Sequence, residues 1–431
     1  MGKCPNCQAF GTLHEVEKTS VRASGIEAST PVRKASKLSD LKSSPITRRE
    51  TGIYEFDRVL GGGFVDSEVV LFGGSPGAGK STLSLRVAEK FADNGLTVLY
   101  ASGEESEQQI AMRASRMNID SDIIHVVNEN DLGAILGHIE AIQPDFVIVD
   151  SLQTVTSSGG SASSVSQSKE AAHVLTTVAK TQGITMLLVN QVVKNGEFAG
   201  SEAIQHIVDC SLILESDSET PLKFLRTTKN RFGETTEVGV FQHSETGLEE
   251  VSDPSGIFLD NDESSVIGAS CSFMNEGIRN IPVEIQALVT KSTLAQPRRQ
   301  FNGINFQRGQ IVCAILEKFC NAKLYENDVF VSTVSGVKVS DPQSDLAVAM
   351  SILSSLKGFQ IDTSSAFIGE LSLTGQVRGS FMIENKMKEA ARLGFTTIYV
   401  PKTAKLSPPS NISVIAVSTV KEMYQKIQKT S

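Results

Sequence analysis

Eight consecutive residues, Gly74-Ser75-Pro76-Gly77-Ala78-Gly79-Lys80-Ser81, constrain this chain more than any other stretch. They follow the G-x-x-x-x-G-K-[ST] pattern of a phosphate-binding loop. Glycines let successive backbone N–H groups curl around a polyphosphate, and the helix N-terminus beneath adds partial positive charge. Such a loop demands a strand before it and a helix after it. Val69-Val70-Leu71-Phe72 reads as a buried strand, and residues 82–94 carry Leu83, Val87 and Phe91 at the spacing of a helix face. Lys80 is placed to reach β- and γ-phosphates, and Ser81 to ligate Mg²⁺. The expected nucleotide contacts are therefore Gly74, Ser75, Pro76, Gly77, Ala78, Gly79, Lys80, Ser81 and Thr82, with ATP and Mg²⁺ as cofactors.

The surrounding pattern is α/β. From residue 47 to about 251, short apolar runs alternate with helical periodicity. Strands are predicted at 69–72, 97–101, 123–127, 146–149, 185–189 and 210–214, with helices between most of them. This is the signature of a mostly parallel sheet with crossover helices. Runs 224–231 and 237–242 read as a closing antiparallel hairpin. An acidic boundary at 254–265 precedes a second α/β unit, with strands at 283–289 and 329–334 and helices at 308–319 and 344–355. The predicted organisation is a cysteine knuckle at 1–17, a flexible basic linker at 18–46, an ATPase domain at 47–255 and a C-terminal domain at 266–431.

A nucleotide hydrolase needs further groups around the phosphates. Phe146-Val147-Ile148-Val149-Asp150 supplies a buried strand ending in a carboxylate, sixty-nine residues after Ser81, that orients Mg²⁺ and its waters. Leu99 to Glu105 ends the strand after the loop helix with two glutamates. Glu104 is the candidate to orient the attacking water, against the alternative that both are helix N-terminal acids, which suits Glu105. Gln191, closing Leu187-Leu188-Val189-Asn190-Gln191, is a candidate γ-phosphate sensor feeding the loop 194–201. A Gly/Ser-rich loop at 157–168 is too polar to pack. Lys229-Asn230-Arg231-Phe232-Gly233 puts two cations on one face of a strand, suited to phosphate of DNA or of a neighbour's nucleotide; a charged edge strand is the plainer alternative.

Together these residues resemble the bacterial RadA (Sms) family of RecA-like ATPases over nearly the whole chain. The matching stretches include Thr51-Gly52-Ile53, Asp57 to Gly63, the phosphate loop, Ser102 to Ser106, Val149 to Thr154 and Leu225 to Gly233, whose last five residues are the family's own signature. The C-terminal unit looks like the family's Lon-protease-like domain, through Glu284 to Val289, Pro297-Arg298-Arg299, Asp345 to Ala349 and Gly369-Glu370. The resemblance implies a DNA-dependent ATPase that forms homo-hexameric rings on single-stranded DNA. It also implies branch migration of recombination intermediates, with branched DNA and the recombinase RecA as partners and Lys229 and Arg231 sensing a neighbour's ATP.

Departures from the family pattern carry expectations of their own. The family begins with a four-cysteine zinc ribbon, whereas this chain shows Cys4 and Cys7 with His14 as a poorly spaced further ligand. Zn²⁺ is thus expected for a full-length product, and the start reads as an internal Met or a truncation. Asn190-Gln191 replaces the family's usual Gly-His. Aligning the protease nucleophile motif puts Asp345 where Ser belongs, and counting back from Gly394 puts Glu384 at the Lys base, with Lys386 and Lys388 nearby. The domain therefore reads as a proteolytically dead scaffold, with Arg298, Arg299 and Arg308 as candidate DNA phosphate contacts or, equally, solvated loop cations. An ATP-dependent protease is disfavoured by Asp345. A regulatory ATPase of the circadian-clock type is disfavoured by the 229–233 signature.

Composition agrees without deciding. Residues 18–49 hold eight basic and two acidic residues in a chain of net charge −9, so whole-chain charge says little about DNA. No apolar run approaches the roughly 18 residues of a membrane span, the N-terminus lacks a signal-peptide core, and a cytoplasmic protein is expected. Cys210, Cys271, Cys313 and Cys320 lie on apolar segments and read as core residues.

Overall fold

The structure, a computed structural model, describes residues 47–157, 165–191, 202–216, 221–251, 266–277, 279–379, 382–402 and 409–430. The Cys4/Cys7 knuckle, the 18–46 linker, the 194–201 loop and the acidic boundary lie outside these residues. The first sheet comprises β1 (Val69–Gly74), β2 (Val98–Ser102), β3 (Ile124–Asn128), β4 (Phe146–Asp150), β5 (Thr185–Gln191), β6 (Cys210–Ser216), β7 (Leu222–Asn230), β8 (Val238–Ser244) and β9 (Gly247–Glu250). Their order is β9-β8-β7-β6-β1-β5-β4-β2-β3. The run β6-β1-β5-β4-β2-β3 is parallel, and β6 through β9 pair antiparallel.

The helices of this half are α1 (Tyr54–Leu60), α2 (Lys80–Asp93), α3 (Glu107–Arg116), α4 (Leu132–Ile142), α5 (Val165–Gln182) and α6 (Glu202–Ile207). Helix α5 starts at Val165, so the Gly/Ser-rich loop expected to reach Ser168 ends earlier. Parallel central strands are buried on both faces and read as unbroken apolar runs. Phe72 and Leu187 enter one core cluster, with Phe91, Phe146 and Phe64, and Val69, Leu99 and Leu188 enter the other. Phe91 stacks on Phe146 at 4.1 Å between ring centroids. The turn before α1 is set by Asp57, whose carboxylate accepts from the Thr51 N–H, the Thr51 hydroxyl and the Gly52 N–H.

The second sheet holds β10 (Ala269–Glu276), β11 (Arg279–Lys291), β12 (Arg299–Asn302), β13 (Asn327–Thr333), β14 (Ser365–Phe367), β15 (Thr397–Pro401) and β16 (Ser413–Val417), in the order β12-β13-β11-β10-β14-β15-β16. Helices α7 (Phe306–Cys320), α8 (Asp345–Lys357), α9 (Ile383–Arg392) and α10 (Val420–Thr430) accompany it. One apolar cluster joins the two halves: Leu222, Phe224, Val238 and Val240 of β7 and β8 pack with Met274, Ile281 and Val283 of β10 and β11. No described helix is long and apolar enough to cross a membrane. Cys210, Cys271, Cys313 and Cys320 are all buried free thiols.

The C-terminal half corrects three sequence expectations. Arg308 is not free for phosphate: its guanidinium pairs with Asp345 and, at 3.1 Å, with Glu370. Arg299 is likewise turned inward, donating to the carbonyls of Asn327 and Leu324 at 2.7 and 2.8 Å, which leaves Arg298 as the exposed member of the trio. Glu384 is exposed on α9, and the buried polar position on that helix belongs to Lys386. Its ammonium donates to the Asp341 carboxylate at 2.5 Å and the Phe273 carbonyl at 2.9 Å. Burial holds its pKa below the usual lysine range, against the pull of Asp341.

Candidate active site

Parallel strands end on one edge, and ligands of open α/β sheets bind outside the carboxyl ends where strand order reverses. Here β1 lies between β6 and β5, so the chain's crossovers diverge at the phosphate loop. Register brings Gly74 opposite Gln191 and Ser102 opposite Asp150. The four strand ends therefore deliver Lys80, Gln191, Asp150 and Glu104 to one cleft of about 340 Å³, also lined by Pro76, Gly77, Gly79, Ser81, Thr82, Glu105, Arg113, Ser151 and His243.

The loop has the backbone its glycines permit. Gly77 and Gly79 take φ of +76° and +105°, the left-handed region that favours glycine. Helix α2 begins at Lys80, and its N-cap Gly79 offers no side-chain acceptor, so the first-turn N–H groups face the cleft. That is the donor set a phosphate requires. The Lys80 ammonium donates to the carbonyls of Gly74 and Ser75 at 2.8 and 3.1 Å. Burial lowers its pKa, while Asp150 and Glu104 raise it.

Asp150 is buried and accepts from the Tyr100 hydroxyl at 2.7 Å and from the Ser81 side chain. Burial pushes its carboxyl above the usual range, and the Ser81 and Tyr100 hydrogen bonds oppose that shift. A carboxylate touching the loop hydroxyl is the oxygen donor set that Mg²⁺ takes beside phosphates. Ser81 and Asp150 would hold the ion, which supplies charge neutralisation on the phosphates when bound.

The two glutamates separate. Glu104 is exposed, and its Oε1 accepts from Ser151 Oγ at 2.5 Å, Gln153 Nε2 at 3.3 Å and Gln191 Nε2 at 3.5 Å. Glu105 instead pairs with Arg113 at 2.5 Å. Neither belongs to the first turn of α3, which Ser106 caps in a capping box with Gln109. Gly103 makes the approach possible, since a Cβ there would lie 2.1 Å from Thr154 Oγ1. Sequence reasoning missed Ser151 and Tyr100 as partners, although both sit in the strand ends already singled out. Arg113 and His243 carried no sequence signal, because only tertiary packing brings them here.

The 229–233 pentapeptide lies elsewhere. β7 ends at Asn230, so Arg231 lies past the strand rather than on it. Lys229 donates to the carbonyls of Gln205, His206 and Val208 at 2.5, 3.4 and 2.7 Å. Arg231 donates to the His206 carbonyl at 3.1 Å and lies 3.5 Å from Asp209. Both cations thus gather at the C-terminal end of α6, where carbonyls and helix dipole favour positive charge. Phe232 and Gly233 follow, the Phe232 carbonyl accepting from Arg48 at 2.6 Å, and Asn230 Nδ2 donates to the Leu60 carbonyl at 3.2 Å. Register matters most: Ser211 pairs with Lys229 and with Leu71, whereas Gly74 pairs with Leu214. Lys229 is therefore at the opposite edge of the sheet from the chain's own phosphate loop, about 10 Å away along the strands before the loop begins.

A central strand headed by a phosphate loop, with one strand between it and the strand ending in Asp150, defines a RecA-like P-loop ATPase core; a second α/β unit built on a seven-stranded sheet follows it. The family model for an AAA domain matches residues 35–197, and that for subunit ChlI of Mg-chelatase matches residues 302–404. The chain belongs to the family of the DNA repair protein RadA. The Bacillus subtilis (strain 168) member is 41% identical over 98% of this chain and 94% of its own length. The Streptococcus pneumoniae (strain ATCC BAA-255 / R6) member is 40% identical over 96% and 100%, and that of Streptococcus pyogenes serotype M6 is 39% identical over 99% and 95%. A solved KaiC-like protein from Pyrococcus horikoshii OT3 aligns at 20% identity and a TM-score of 0.43, covering 48% of this chain and 100% of that one.

Proposed function

We propose that this chain is a DNA-dependent ATPase of DNA repair that works as a homo-hexameric ring on single-stranded DNA and drives branch migration of intermediates made by the recombinase RecA. The observation that carries the reading is the convergence of Lys80, Ser81, Asp150, Glu104 and Gln191 on one cleft in a chain of this family. Lys80 and the loop N–H groups bind the phosphates, Ser81 and Asp150 hold Mg²⁺, and Glu104 orients the attacking water. Gln191 bonds Glu104 and passes the state of the γ-phosphate to the segment that follows it. Lys229 to Gly233 act on a neighbour's nucleotide or on DNA. Residues 47–255 form the ATPase domain and residues 266–431 a scaffold for assembly.

The protease alternative finds no support at Asp345 or Lys386. Asp345 is tied to Arg308 and to the Leu371 N–H, and Lys386 to Asp341. A carboxylate neutralised by arginine is no acyl-transfer nucleophile, and an ammonium held by a carboxylate is no base.

The test is ATP turnover with and without single-stranded DNA. Stimulation by DNA is expected, with Lys80→Ala inactive and Glu104→Gln retaining nucleotide binding while losing ~10²–10⁴-fold in kcat. Turnover indifferent to DNA, against a silent Lys80→Ala control, would sink the proposal. Casein cleavage abolished by Lys386→Ala would revive the protease.

A further inference from the structure

Arg48 falls within the basic stretch 18–49, yet its side chain is engaged inside the fold. Its backbone pairs antiparallel with Val65, and its guanidinium reaches across the turn that ends α1. Nη1 donates to the Leu60 and Gly63 carbonyls at 3.1 and 3.0 Å, and Nη2 donates to the Phe232 carbonyl at 2.6 Å. The turn is shaped for this contact. Gly61, Gly62 and Gly63 take φ of +83°, +105° and +105°, and a Cβ on Gly62 would lie 3.4 Å from Arg48 Cδ. Leu60 closes α1, so its carbonyl has no partner within the helix and is open to a donor from outside.

These bonds close a ring. The Leu60 carbonyl also accepts from Asn230 Nδ2 at 3.2 Å, Asn230 Oδ1 accepts from the Phe232 N–H at 2.8 Å, and the Phe232 carbonyl leads back to Arg48. The residue enclosed between Asn230 and Phe232 is Arg231. Its N–H donates to the Asp209 carbonyl at 3.1 Å, while the residue as a whole stays exposed. The Lys180 ammonium lies 5.8 Å from the centroid of the Phe232 ring and pairs with the Asp209 carboxylate at 2.6 Å. The main chain that carries Arg231 is thus held on both sides. A planar guanidinium suits the task, because its fork serves carbonyls on two segments in one fixed geometry.

We propose that Arg48 is a positioning residue for the 229–233 pentapeptide, fixing through the Leu60 and Phe232 carbonyls the backbone from which Arg231 reaches a neighbour's nucleotide. The inference rests on the reading of that pentapeptide as acting in trans. It also gives Asn230 a task of its own, as the link between the α1 turn and the Phe232 N–H. Two other roles compete: a structural brace for the turn, and a direct phosphate contact with DNA.

The ratio of ATP turnover with single-stranded DNA to turnover without it separates the three, because it does not depend on how much of the chain is folded. Arg48 is half-buried, so Arg48→Ala should fold, and it should bind ATP within ~2-fold of the parent. It should lose most of the DNA stimulation, with the half-saturating DNA concentration within ~2-fold of the parent's. Arg48→Lys keeps the charge and the stem but not the fork, and should lose stimulation in the same way. A lower urea midpoint with an unchanged ratio in Arg48→Ala would leave a brace alone and overturn the inference. Full maximal stimulation at a raised half-saturating concentration would make Arg48 a phosphate contact and overturn it equally. Parental stimulation in Arg231→Ala would instead overturn the trans reading, and an unstimulated parent the DNA-dependent ATPase.

Discussion

At the scale of single residues, two buried carboxylates of the first sheet differ in their partners. Asp150 is buried at the active edge with the hydroxyls of Tyr100 and Ser81 to hold it. Glu68 is buried at the start of β1 with fewer partners: its carboxylate accepts from the Val65 N–H at 2.8 Å. Burial pushes its pKa up to about 7, opposed by that hydrogen bond, raised further by Asp209 and lowered by Arg48 and Lys180. A carboxyl with a raised folded-state pKa binds its proton more tightly in the native chain than in the unfolded one. Its contribution is therefore fully present below the usual glutamate range and is lost as pH rises toward 7. The shift is worth roughly 3 kcal/mol. Glu68→Gln keeps an acceptor for Val65 and has nothing to titrate. Urea unfolding of the parent should thus weaken between pH 5 and 8 by up to about that amount more than unfolding of Glu68→Gln. Parallel pH profiles for the two would refute the assignment.

At the scale of elements, one buried ion pair adds to the apolar cluster that joins the two sheets. Glu55 on α1 is fully buried, and Arg279 at the start of β11 reaches it at 2.5 Å. The same carboxylate accepts from the Val240 N–H, and Arg58 approaches at 3.8 Å. Removing one partner of a buried pair leaves a charge without compensation, which costs about 3–5 kcal/mol. Arg279→Ala should lose stability on that order in urea unfolding, and Arg279→Met with Glu55→Gln should recover much of it. A loss under ~0.5 kcal/mol in Arg279→Ala would show that the pair does not matter. This join was not legible in the sequence, and the reason is general. Strand and helix limits were legible because apolar runs in a buried parallel sheet are local facts: 146–149 and 185–189 fell within two residues of β4 and β5. The partners of a charge are not local. Arg308 looked like a surface cation until α8 brought Asp345 against it, and counting along the sequence put Glu384 at the Lys-base position, whereas the buried ammonium is that of Lys386. The cleft was legible for a third reason. Its residues sit at strand ends, and parallel register alone gathers those ends on one edge.

At the scale of the whole molecule, Lys229 and Arg231 pose a geometric question that the single chain answers in part. Both lie at the edge of the sheet opposite the phosphate loop of their own chain. Side chains of that length cannot cross a sheet to serve their own nucleotide, so a role at phosphate requires DNA or a second copy. Within the chain they are engaged with α6: Lys229 takes three carbonyls, and Arg231 takes the His206 carbonyl and faces Asp209. A cation capping a helix end contributes only about 0.3–1 kcal/mol, so neighbouring phosphates can compete for it. Lys229→Ala and Arg231→Ala should therefore fold, with urea midpoints close to the parent, and should bind ATP with dissociation constants within ~2-fold of it. If they serve a neighbour's nucleotide as proposed, both variants should fail to drive branch migration. A capping role alone predicts the reverse pattern, with a small loss of stability and normal migration. Unimpaired migration by both variants would remove the trans role and leave the pentapeptide as a brace for α6.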